Sequence, residues 1–87
     1  MADYDRSIID GMRAGRQDAL VTFIEQQRTA LLAFIQKRLG LHLRKKIEAD
    51  DVLQEVSVEA LRALPKTTID DRDPLNWLFH ICERKII

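Results

Sequence analysis

Residues 16–39 contain no glycine or proline, and their apolar side chains Leu20, Phe23, Ile24, Leu31, Phe34 and Ile35 recur at spacings of 3, 4 and 7. That is the period of an amphipathic α-helix with one stripe turned to a core. Gln27 falls inside the stripe and reads as a buried amide with a hydrogen-bond partner, since buried polar groups are paired. Gly40 suits the residue just past the helix end, and Lys37 and Arg38 complement the negative end of the helix dipole.

With only 3 glycines and 2 prolines in 87 residues, few other breaks exist: Gly15, and the stretch from Pro65 to Pro74. They outline three further helical segments. The first, residues 4–13, places Ile8, Ile9 and Met12 a turn apart, with Gly11 and Gly15 weakening its end. The third, residues 48–64, carries Leu53, Val56, Ser57, Ala60 and Leu64 on a narrow face, has Asp50 and Asp51 in its first turn, and ends at Pro65. The fourth opens with Asp73 as N-cap and Pro74 in the first helical position, and turns Leu75, Leu78, Ile81 and Cys82 inward. It is still apolar at Ile86 and Ile87, so the chain reads as cut within or just after this helix. Phe79, Ile86 and Ile87 are then expected to be partly uncovered and open to self-association. The fold expected is all-α: one domain over residues 1–87, a compact bundle of three main helices plus a short N-terminal one. Leu20, Phe23, Leu31, Phe34, Leu53, Val56, Ala60, Leu78 and Ile81 form its core.

Composition narrows the functional classes. A 46% hydrophobic, 32% charged chain with one Trp and one Tyr is that of a globular, helix-favouring protein. Neither an 18-residue apolar run nor an apolar leader is present, so membrane insertion is not expected. The lone Cys82 fits a reducing, cytoplasmic setting. The 14 basic residues balance the 14 acidic ones, which excludes a globally basic nucleic-acid binder but not a local basic patch.

No enzyme constellation stands out: there is no phosphate-binding glycine loop, no HExxH and no CxxC. His80 and Cys82 are two apart on a helix and point to different sides, and His42 lies in another segment, so no metal site or cofactor is expected. The third helix is the informative one. Asp51, Glu55 and Glu59 are spaced i, i+4, i+8, each adjacent pair costing an isolated helix about 0.2–0.5 kcal/mol. Arg62 relieves only the end of the row, while Gln54, Val58 and Leu61 run beside it. The row is either a solvated face or a docking face for a cationic, partly apolar partner. The stretch from Lys66 to Asp73 is too polar for a core; loops on rigid helices often hold binding function, and the plain alternative is a connector. On the fourth helix Trp77, His80 and Arg84 share a face able to stack on and hold single-stranded bases, although a lone Trp there equally suits helix packing. Arg44, Lys45 and Lys46 form a short basic run that suits phosphates or plain solvation.

The residues Asp50-Asp51-Val52-Leu53-Gln54-Glu55-Val56, a polar connection, then Trp77-Leu78-Phe79-His80-Ile81 resemble region 2 of bacterial sigma-70 family sigma factors, most closely the extracytoplasmic-function (ECF) type. The resemblance covers nearly the whole chain. It implies a helical domain, not an enzyme, that binds core RNA polymerase through the clamp helices of the β′ subunit, with Asp51, Gln54 and Glu55 as contacts; Val58 and Glu59, on the same face of the helix, are candidates beside them. It implies recognition and melting of the promoter −10 element on the non-template strand, by Lys66, Thr67, Thr68, Asp70, Asp71 and Arg72 in the loop and Trp77, His80 and Arg84 on the last helix. An anti-sigma factor is the regulator the family suggests, and the domain that reads the −35 element is expected to lie outside these 87 residues. The chain departs from the family pattern at Ser57, where a bulky apolar residue is usual, and at Glu83-Arg84, where a small or apolar residue and Asn are common. Looser packing is expected at the first site and altered DNA contacts at the second. The rival reading is a helical protein-interaction module that uses the Asp51/Glu55/Glu59 face without touching DNA. A helix-turn-helix repressor is disfavoured, because the connection from Pro65 to Pro74 is too long for its tight turn.

Overall fold

The computed structural model describes residues 5–40, 48–67 and 73–86. These form five α-helices and one 3₁₀ turn: α1 (Arg6–Arg13), α2 (Gln17–Gln26), α3 (Arg28–Leu39), α4 (Ala49–Ala63), the turn Leu64–Lys66, and α5 (Pro74–Ile86). No strand occurs among the described residues, and the all-α bundle expected from the sequence is what forms. No helix among them is long and apolar enough to cross a membrane.

Local chemistry starts and stops the helices. Asp5 caps α1 by accepting the Ser7 backbone N–H at 2.9 Å and the Ser7 hydroxyl at 2.8 Å, and these bonds hold its carboxyl below the usual range. Gly15 turns the chain between α1 and α2 at φ 80°, a conformation that costs glycine nothing. Gly11 lets α1 lie close on α2: a Cβ there would stand 2.7 Å from the Cβ of Ala19. At Pro65 the α-helix gives way to the 3₁₀ turn, where Thr67 closes the end by donating its hydroxyl to the Ala63 carbonyl at 2.7 Å. Asp73 starts α5 by accepting the Leu75 N–H at 3.0 Å, as an N-cap does.

Several expectations need correction. The long second helix is two helices, broken at Gln27, which sits at φ −98°, ψ 10°. The break falls on the amide that interrupts the apolar stripe and leaves Gln27 half-buried instead of buried. Gly40 closes α3 at φ −60°, within reach of any residue, so it is not a left-handed cap. Phe34 is half-buried rather than core, because it meets Phe79 at the rim of the bundle, ring centroids 4.4 Å apart and stacked at 12°. Ile86 is buried, so the last helix is covered at that position; Ile87 lies outside the described residues, as do His42, Arg44, Lys45 and Lys46.

The core draws on every helix: Met12, Leu20, Phe23, Ile24, Leu31, Ile35, Val52, Leu53, Val56, Ala60, Leu64, Leu78, Ile81, Cys82 and Ile86 are all buried. α4 lies against α2, α3 and α5, so it buries a wider face than its apolar spacing suggested, Val52 included. Ser57 is half-buried, and its hydroxyl donates to the Leu53 carbonyl at 2.8 Å, which satisfies the polar atom where a bulky residue would have packed. Cys82 is fully covered, and burial pushes its thiol up to about 11. The thiolate is the reactive form. Thiol labelling at mildly alkaline pH should therefore proceed only through opening of α5, with a rate that rises steeply in denaturant. Rapid labelling of the native chain would show that α5 does not seal the core.

Candidate functional site

Packing α4 with Val52, Leu53, Val56 and Ala60 inward fixes what it shows outside. Asp51, Gln54, Glu55 and Val58 are all exposed, on the side opposite the core. Val58 stands 45% exposed, one of two large apolar side chains so exposed among the described residues, with Asp51 and Glu55 beside it. The acidic character of this face is partly offset at its start: Arg28, at the beginning of α3, donates to Asp50 at 2.9 Å.

Glu59 differs from the rest of its row. It is half-buried and turned to α5, where Lys85 lies 2.9 Å from one carboxylate oxygen and Arg84 3.3 Å from the other. The Lys85 hydrogen bond and charge, with smaller contributions from Arg84 and Arg62, hold its carboxyl below the usual range. The row of three like charges is thus two solvent-facing acids followed by one paired across the bundle.

The second candidate surface lies where α4, the 3₁₀ turn and α5 meet. An open groove of ≈ 530 Å³ is lined by Glu59, Ala63, Thr67, Trp77, His80, Ile81, Glu83 and Arg84. The three side chains singled out on the fourth helix thus line one groove, and Thr67 reaches it from the other side. Trp77 is half-buried against the core, so it serves helix packing and also lines the groove wall. His80 and Arg84 are exposed, as is Lys66 on the adjoining turn. His80 Nδ1 is 3.7 Å from Glu83, which in turn pairs with Arg38 of α3 at 3.1 Å. Arg38 also lies over the Phe34 ring, 5.0 Å from its centre, and so ties the rim aromatics to α5. Thr68, Asp70, Asp71 and Arg72 lie outside the described residues. Among the described residues no cluster of His, Cys, Asp and Glu is arranged to hold a metal ion.

Sequence reasoning missed the partners of Glu59. Arg84 is 25 positions away, and no local spacing rule reaches that far. The faint signal was the adjacency of Arg84 and Lys85 in the last turn of the final helix.

The comparisons with known proteins agree with this arrangement. The family model for Sigma-70 region 2 matches residues 23–87, a span that includes α3, α4 and α5 and leaves α1 outside. The protein named ECF RNA polymerase sigma factor SigD from Mycobacterium bovis is 33% identical over 73 residues, which cover 84% of this chain and 34% of that protein. The proteins of the same name from two strains of Mycobacterium tuberculosis match to the same extent. The chain spans about a third of the length of these curated relatives. No solved structure matches it. The matched span holds both surfaces just described, and the chain belongs to the Sigma-70 region 2 family, of the ECF sigma-factor type.

Proposed function

We propose that this chain is the part of a sigma factor that docks on the β′ clamp helices of core RNA polymerase and takes part in recognising and melting the promoter −10 element. The observation that carries the reading is the sorting of side chains on α4: Val52, Leu53, Val56 and Ala60 are buried, while Asp51, Gln54, Glu55 and Val58 face solvent together. A solvated surface accounts for the two acids and the amide, and a cationic, partly apolar partner surface accounts for the exposed valine beside them as well. Glu59 stands at the edge of that face.

DNA contact falls to the other surface. Bases taken out of the duplex leave unpairing costs of a few kcal/mol to be offset by capture. The groove supplies an aromatic wall at Trp77 and a cation, Arg84 on α5, and Lys66 is exposed on the adjoining turn. The connection carrying Thr68, Asp70, Asp71 and Arg72 is more acidic than basic, so phosphate attraction is not its main work. Its carboxylates suit the amino edges of cytosine or adenine. The chain acts as a specificity component in the cytoplasm without catalytic residues of its own, and an anti-sigma factor is the kind of regulator such a chain has.

The test is promoter opening on a panel of single-base −10 variants, with residues 66–73 exchanged for another loop of equal length in the parent sigma factor. The preferred base should change while polymerase affinity stays as it was. An unaltered preference profile would reduce this loop to a connector and favour the module that contacts only protein.

A further inference from the structure

We propose that Glu59 is a built-in competitor for the DNA backbone, holding Arg84 and Lys85 in the free chain so that a phosphate must displace it. The inference rests on the reading of the groove as a DNA surface. One carboxylate oxygen meets Lys85 at 2.9 Å and the other meets Arg84 at 3.3 Å, so a single anion engages both cations. Two acceptor oxygens presented to neighbouring cations are also what a phosphate offers. The Arg84 side chain is 64% exposed at the rim of the groove that Trp77 and His80 line, within reach of a strand laid along it. Glu59 is charged near neutral pH as any ordinary carboxylate is, and the hydrogen bond and charge of Lys85 lower its carboxyl further.

The strength of the hold is set by exposure. Solvent-accessible ion pairs are weak and are screened by salt, so exchange of Glu59 for a phosphate costs little once DNA is present. With equal numbers of acidic and basic residues, the chain has no overall field to draw DNA in. Arg84 and Lys85 lie next to each other on α5, and Glu59 lowers their availability together. The consequence is a free chain that binds single strands a few-fold less tightly than its cations alone would allow.

The measurement is fluorescence anisotropy of a labelled single-stranded oligothymidylate titrated with the 87-residue chain at low salt. Glu59→Gln should bind about 2- to 5-fold more tightly, the scale that loss of its weak, solvent-accessible ion pairs allows, and the gain should shrink as salt rises. Glu59→Ala, which keeps a strong helix former in α4, should show the same gain. Arg84→Ala/Lys85→Ala should weaken binding, and adding Glu59→Gln to that pair should change nothing further. Absence of a gain in both Glu59 variants, or an equal gain without Arg84 and Lys85, overturns the competitor role while leaving the DNA reading intact. Unchanged affinity in Arg84→Ala/Lys85→Ala overturns the DNA reading of these cations, and the competitor role with it.

Discussion

Leu78→Ala is expected to cost about 2–5 kcal/mol and to leave this chain at or below the threshold of folding. Leu78 is 0% exposed on α5, the helix that packs against both α3 and α4. Removing its isobutyl group loses burial and leaves a cavity where helices meet, and the neighbouring side chains cannot all move to fill it. A chain of 87 residues has roughly 4–13 kcal/mol of total stability at about 0.05–0.15 kcal/mol per residue. The loss is therefore a large share of the whole. Urea unfolding followed by the fluorescence of Trp77 measures it. Val21→Ala, at a side chain 46% exposed, is the control and should stay within about 0.5 kcal/mol of the parent. A Leu78→Ala chain within about 1 kcal/mol of the parent would mean that α5 is not a keystone of the core.

Glu55→Lys is expected to move stability and polymerase binding in opposite directions. Glu55 is exposed, one turn after Asp51 and one turn before Glu59. Reversing it turns two like-charge i,i+4 pairs into opposite-charge ones, each change worth a few tenths of a kcal/mol in favour of the helix. The fold should be unharmed or slightly more stable. At a docking face that meets a cationic partner, the same reversal sets like charges against each other, which costs several kcal/mol. Binding should fall by about 100-fold or more, most of it lost as salt-sensitive attraction. Gln54→Ala removes only a polar contact and should have a smaller effect in the same direction.

The helical segments were legible because apolar spacing and the placement of Gly15, Pro65 and Pro74 act locally. The break at Gln27 was not, since one amide in an otherwise regular stripe is compatible with either a buried partner or a bend. Val52 was missed because its burial depends on α4 having neighbours on three sides, a fact of tertiary packing. Phe34 was placed in the core by its spacing, but its partner Phe79 lies at the bundle rim. The exposed face of α4 was legible in part. Asp51, Gln54, Glu55 and Val58 read correctly as exposed because four inward positions on one helix leave few choices for the others. Glu59 read the same way and is not the same, because the cations that claim it come from α5. The loop residues Thr68, Asp70, Asp71 and Arg72 rest on the family resemblance alone.

In the proposed division of labour one face of α4 docks on polymerase and the groove beside α5 serves DNA. The most direct test titrates core RNA polymerase with the fluorescently labelled chain, its Glu55→Lys variant and its Arg84→Ala variant, in the absence of DNA. Saturable binding is expected of the parent and of Arg84→Ala, with closely similar affinity, and a loss of about 100-fold or more is expected of Glu55→Lys. Equal binding by Glu55→Lys and the parent would contradict this division, since the exposed acidic face of α4 would then have no part in docking.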